Sequence, residues 1–77
     1  MNVMSAILKP YGILKTYIDG EKEKAVEAGR TVRQMMLDLE IPPEIVALVL
    51  VNDEPKPKDY ILQDGDIVKL LAVIGGG

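Results

Sequence analysis

The chain has 77 residues, a net charge of −3, and neither cysteine nor histidine. That length supports one small domain, and the missing residue types exclude disulfides, thiolate or histidine metal sites, thiol nucleophiles and histidine acid–base work. The acidic balance argues against nucleic acid or an anionic membrane as partner, since both need clustered positive charge, and favours a partner with a basic face.

A hydrophobic content of 48% is ample for a packed core. No stretch reaches the roughly 18 to 20 apolar residues of a membrane span, and the start lacks the basic opening of a signal peptide. The expected location is the cytoplasm.

In chain order, residues 3–9 predict a strand. Ser5 and Lys9 mark its outer face, so Met4, Ala6 and Leu8 should point into the core. Pro10-Tyr11-Gly12 breaks it. Residues 13–18 fit either a strand or a helical turn that tucks Leu14 and Tyr17 (or Ile18) under the sheet, and the turn is preferred. Asp19-Gly20 is a turn signal, after which residues 21–27 should return antiparallel to the first strand. Their charges suit an edge protected against unwanted pairing.

Residues 31–40 give the clearest helix. Thr31 can cap it, with Gln34 three residues on completing a capping box. Val32, Met35, Met36 and Leu39 recur at helical spacing and make one apolar stripe for the sheet. Pro42-Pro43 should stop the helix. Residues 45–51 are an unbroken apolar run, which predicts a strand buried in mid-sheet with no polar residue to fix its facing.

Asn52-Asp53 is a turn, and Pro55 and Pro57 limit whatever follows to a short edge strand. Asp59 can open a brief 3₁₀-like turn that drops Tyr60 or Leu62 onto the core. Asp64-Gly65-Asp66 reads as a turn rather than a cation site, because no further ligands stand at fixed offsets. In the last strand Lys69 must face water. By alternation Ile67, Leu71 and Val73 share its outer face while Val68, Leu70 and Ala72 fill the core. Exposed apolar side chains on so small a domain are a candidate docking surface.

Ile74-Gly75-Gly76-Gly77 closes the sequence. Glycines without Cβ atoms can thread a channel too narrow for side chains, and four extended residues span at most roughly 13 to 14 Å. The expected division is a folded domain over 1–73 and a glycine tail over 74–77. A tail with no function is the plain alternative. The element order predicts an α+β roll: one mixed sheet of four to five strands, one main helix across it, and the first and last strands side by side in the centre.

These residues resemble the β-grasp, ubiquitin-like sulfur carriers of the ThiS and MoaD kind. The resemblance covers nearly the whole chain. It is carried by Ala28-Gly29-Arg30-Thr31-Val32 opening the helix, Val49-Leu50-Val51-Asn52 closing the buried strand, Leu62-Gln63-Asp64-Gly65-Asp66 before the last strand, and the terminal Gly-Gly.

The resemblance implies that Gly77 is adenylated by a ubiquitin-activating-type enzyme using ATP. It is then converted to a thiocarboxylate that gives its sulfur to a biosynthetic enzyme. Gly76 would complete the diglycine, while Ile67, Leu71 and Val73 would help dock the partner. The chain would then be a protein substrate with no catalysis of its own and no bound cofactor. Gly75 is an extra glycine. The run Ala72-Val73-Ile74 lacks the proline pair common in molybdopterin-type carriers, which tilts the reading toward the thiamine type. Two alternatives remain: a ubiquitin-like modifier conjugated through Gly77, and a non-covalent interaction module.

Overall fold

Residues 4–72 are described by the computed structural model. They run as strand β1 (Ser5–Pro10), a 3₁₀ helix (Gly12–Ile18), β2 (Lys24–Glu27), helix α1 (Val32–Asp38), a 3₁₀ turn (Pro43–Ile45), β3 (Val46–Val51), β4 (Glu54–Pro55) and β5 (Ile67–Ala72). The five strands form one sheet in the order β2-β1-β5-β3-β4. The central β1–β5 pair is parallel and the other neighbours are antiparallel. This is the β-grasp roll, a mixed sheet with α1 across one face. The first and last strands lie side by side as expected.

Alternation builds the core from the strands. Ala6 and Leu8 of β1, Val68 and Leu70 of β5, and Val46, Val49 and Val51 of β3 are all buried. They share one cluster with Val32, Met35 and Met36 of α1. The 3₁₀ helix buries Leu14 and Ile18 beneath it, which settles residues 13–18 as helical, with Tyr17 packed at the margin.

Met4 departs from expectation. It is 52% exposed: its carbonyl still accepts the last ladder bond, from the Ala28 N–H at 3.1 Å, but the residue pairs with β2 end at Ser5 opposite Glu27, which leaves the Met4 side chain at the end of the sheet. Val3 lies outside the described residues. β2 starts three residues later than residue 21, since the turn after Asp19-Gly20 uses Glu21, whose N–H donates to the Ile18 carbonyl at 3.1 Å. It is an edge strand, as its charges suggested.

The capping box forms: Thr31 Oγ1 accepts from the Gln34 N–H at 3.0 Å, and Gln34 Oε1 accepts from the Thr31 N–H at 2.9 Å. The prolines do not end α1. Its C-terminus closes earlier, with Glu40 in the left-handed region at φ 60°. There the Ile41 N–H reaches the Met36 carbonyl at 2.8 Å and the Glu40 N–H reaches that of Leu37 at 3.1 Å. This is a Schellman closure with glutamate where glycine is usual, sealed by the fully buried Ile41.

The unbroken apolar run is not buried on both sides. Val46 stands opposite Ala72 but Leu48 stands opposite Leu71, so Ala47 is an inserted bulge. A bulge shifts the phase of alternation by one residue. Val46, Val49 and Val51 therefore point inward while Ala47 and Leu48 are exposed. Asn52 and Asp53, at φ 52° and 68°, form the two-residue loop to β4, the backbone that a tight hairpin with both central residues left-handed requires. A turn closed by the Tyr60 N–H on the Pro57 carbonyl at 3.0 Å begins two residues before Asp59, and it delivers Leu62 to the core, fully buried.

Candidate interaction face and the exit of the last strand

Inward Val68 and Leu70 are fully buried, and Ile67, on the opposite face, is 38% exposed. Lys69 and Leu71 share that outer face, half-buried. Ala72, assigned to the core from sequence, is half-buried and packs against the cluster. Val73, the third expected docking residue, lies outside the described residues, as do Gly75, Gly76 and Gly77.

Pairing extends the apolar surface beyond the residues the sequence singled out. Ile7 of β1 stands opposite Ile67, Leu48 of β3 stands opposite Leu71, and Leu50 flanks Lys69. Leu48 is 40% exposed. Its place on this face is a product of the bulge, and nothing within an all-apolar run could have signalled it. Ile7, by contrast, was legible as outward from its position between Ala6 and Leu8.

Lys69 interrupts the band, and the turn before β4 neutralises it. Its ammonium meets Asp53 Oδ1 at 2.7 Å. The hydrogen bond and charge of each partner raise the Lys69 pKa and lower that of Asp53. With that ion pair folded over, the aliphatic stem of Lys69 continues the surface between Ile67 and Leu71.

The start of β5 is fixed by a buried carboxylate. Asp66 is 6% exposed and accepts from Asn52 Nδ2 at 2.9 Å, the Tyr60 hydroxyl at 2.9 Å and the Gln63 N–H at 2.8 Å. Burial pushes its pKa up, but these hydrogen bonds, with help from the nearby Lys56, outweigh burial and leave it below the ordinary value. The sequence placed Asp66 in a turn and missed this role, because Asn52 reaches it from the β3–β4 turn and Tyr60 is folded back onto it from six residues earlier in its own loop.

At its other end β5 is held on both sides: Val46 pairs with Ala72, and the Tyr11 N–H donates to the Leu70 carbonyl at 3.0 Å. β5 therefore ends at Ala72 in the middle of the sheet, at the edge of the apolar band. Among the described residues, no group of three or more carboxylates is placed to hold a metal ion, and no helix is long and apolar enough to cross a membrane.

The model of the ThiS family matches residues 11–77. No curated protein matches the chain. Among solved structures, it resembles a chain of the BexX/CysO complex of Amycolatopsis orientalis, 30% identical over 94% of this chain and 99% of that one, with a TM-score of 0.66. It also resembles the small archaeal modifier protein 1 of Methanosarcina acetivorans, 18% identical over 100% of both chains, TM-score 0.71. A third is the complex of subunits 1 and 2 of the molybdopterin-converting factor from Helicobacter pylori, 21% identical over 96% of this chain and 100% of the matched one, TM-score 0.62. The last two share the fold.

Proposed function

The chain belongs to the ThiS family, and from that premise we propose that it carries sulfur on its own C-terminal carboxylate at Gly77. The observation that carries this reading is that the family match runs through Gly75 and Gly76 to Gly77. A carboxylate is a poor electrophile. A ubiquitin-activating-type enzyme makes it reactive by joining it to AMP from ATP, with release of pyrophosphate. A sulfide equivalent then displaces AMP, leaving a thiocarboxylate for a sulfur-accepting biosynthetic enzyme of thiamine thiazole formation, or of molybdopterin formation.

The folded body contributes recognition rather than catalysis. On this reading Ile67, Leu71 and Val73, joined by Leu48 and Ile7, dock each enzyme while the glycines enter its active site. The chain needs no bound cofactor, acts in the cytoplasm, and uses neither nucleic acid nor membrane.

The test is intact-mass spectrometry after incubation with ATP, an adenylating enzyme of this family's pathway and a sulfur source. The expected result is the mass gain of one sulfur replacing one oxygen, absent when Gly77 is deleted. An unchanged mass with each such enzyme overturns the proposal. A second reading, conjugation to lysines of other proteins through Gly77, is favoured by the likeness in fold to the archaeal modifier. Higher-mass conjugates lost on deleting Gly76 and Gly77 would establish it.

A further inference from the structure

On its β1 side the outer face ends in a cleft of about 260 Å³ lined by Lys9, Pro10, Tyr11, Lys15, Lys22 and Glu23. Three ammonium groups share it with one carboxylate. Lys9 reaches Glu23 only at 4.0 Å, and among the described residues Lys15 and Lys22 have no ion-pair partner. In a chain of net charge −3, this is a local inversion of sign. The overall charge had favoured a basic-faced partner, and the cleft asks for the opposite.

Its position gives the inversion a purpose. Lys9 stands opposite Lys69 in the parallel ladder, and Tyr11 is hydrogen-bonded to Leu70. The cleft therefore borders the apolar band and flanks the C-terminal end of β5. Lys69 is occupied by Asp53, so the uncompensated charge sits at Lys15 and Lys22.

We propose that this cleft receives carboxylate side chains from the surface of the protein that engages the tail, so that charge pairing at Lys15 and Lys22 orients the apolar contact made by Ile67, Leu71 and Leu48. The proposal rests on the preceding reading only in taking the tail to be engaged by a protein. Rim charges of this kind set encounter rate and orientation more than final affinity, which suits a carrier that must leave one enzyme for another. Carboxylates fit better than phosphate. The cleft holds lysine point charges with the apolar walls of Pro10 and Tyr11, and no arginine fork lines it.

The experiment is a ¹⁵N NMR titration of the full chain with a short glutamate-rich peptide, its glutamine counterpart, and pyrophosphate. The glutamate peptide is expected to shift the Tyr11, Lys15, Lys22 and Glu23 amides, the glutamine peptide to leave them unmoved, and added salt to reverse the shifts. Lys15→Glu/Lys22→Glu should keep the folded spectrum and bind at least about tenfold more weakly. Absence of shifts, shifts centred elsewhere, equal binding by the double variant, or tighter binding of pyrophosphate in the same cleft would each overturn it. A chain lacking Gly77 should titrate identically, which separates failure here from failure of the sulfur-carrier reading.

Discussion

Asn52 joins the hairpin turn to the start of the last strand: its Nδ2 donates to Asp66 Oδ1 at 2.9 Å while its Oδ1 accepts from the Ile67 N–H at 3.0 Å. One side chain thus satisfies a buried carboxylate and a strand-end amide together. With Tyr60 and Gln63, both in the connection from β4 to β5 that Asp66 itself closes, it makes Asp66 the point at which that connection is tied to the β3–β4 turn.

Removing the hub should be costly. Asp66→Ala leaves Asn52 Nδ2, the Tyr60 hydroxyl and the Gln63 N–H without their acceptor, and a loss of about 2 to 3 kcal/mol is expected, against a smaller loss for Tyr60→Phe, which deletes a single bond. Urea unfolding of both variants measures this. A larger effect from Tyr60→Phe would refute the ranking.

Acid should weaken the same hub. The folded Asp66 pKa lies below its ordinary 3.8, so its contribution is complete above that value and is lost as pH falls through the lower folded pKa. Stability measured from pH 5 downward is expected to decline below about pH 4, and Asp66→Asn should decline less steeply over that range. Parallel curves would show that Asp66 is not coupled to folding.

Glu40 offers the reverse case, a stabilising change. A glutamate at φ 60° carries the Cβ strain that glycine avoids, and Glu40→Gly keeps both backbone bonds of the Schellman closure. Stability should rise by about 0.5 to 1 kcal/mol after the greater entropy of glycine in the unfolded chain is deducted. A lowered denaturation midpoint would contradict this.

Neighbouring positions on β5 should differ in kind. Leu70 is fully buried, so Leu70→Ala should cost about 2 to 5 kcal/mol, whereas Ile67→Ser and Leu48→Ser on the outer face should each stay within about 1 kcal/mol. Under the proposed function the two outer variants should instead weaken binding to an adenylating enzyme, read as a raised KM with kcat preserved. Comparable destabilisation by all three would mean that the outer face is not free.

Wherever a residue's own type constrains its surroundings, local sequence was sufficient. Thr31 and Gln34 specify their cap by side-chain chemistry, Lys69 specifies the facing of β5 by needing water, and Asn52-Asp53 specifies a tight turn by tolerating positive φ. Those constraints and the order of elements point to the roll with its first and last strands side by side at the centre; their parallel direction was read from the structure. Tertiary structure alone decided what depends on partners distant in the chain: the bulge at Ala47 that turns Leu48 outward, the burial of Asp66, and the meeting of Lys9, Lys15 and Lys22. The physical reason is that an apolar run or a scattered set of lysines has the same local preferences in many arrangements, and only the register of β1 and β3 on β5 selects one.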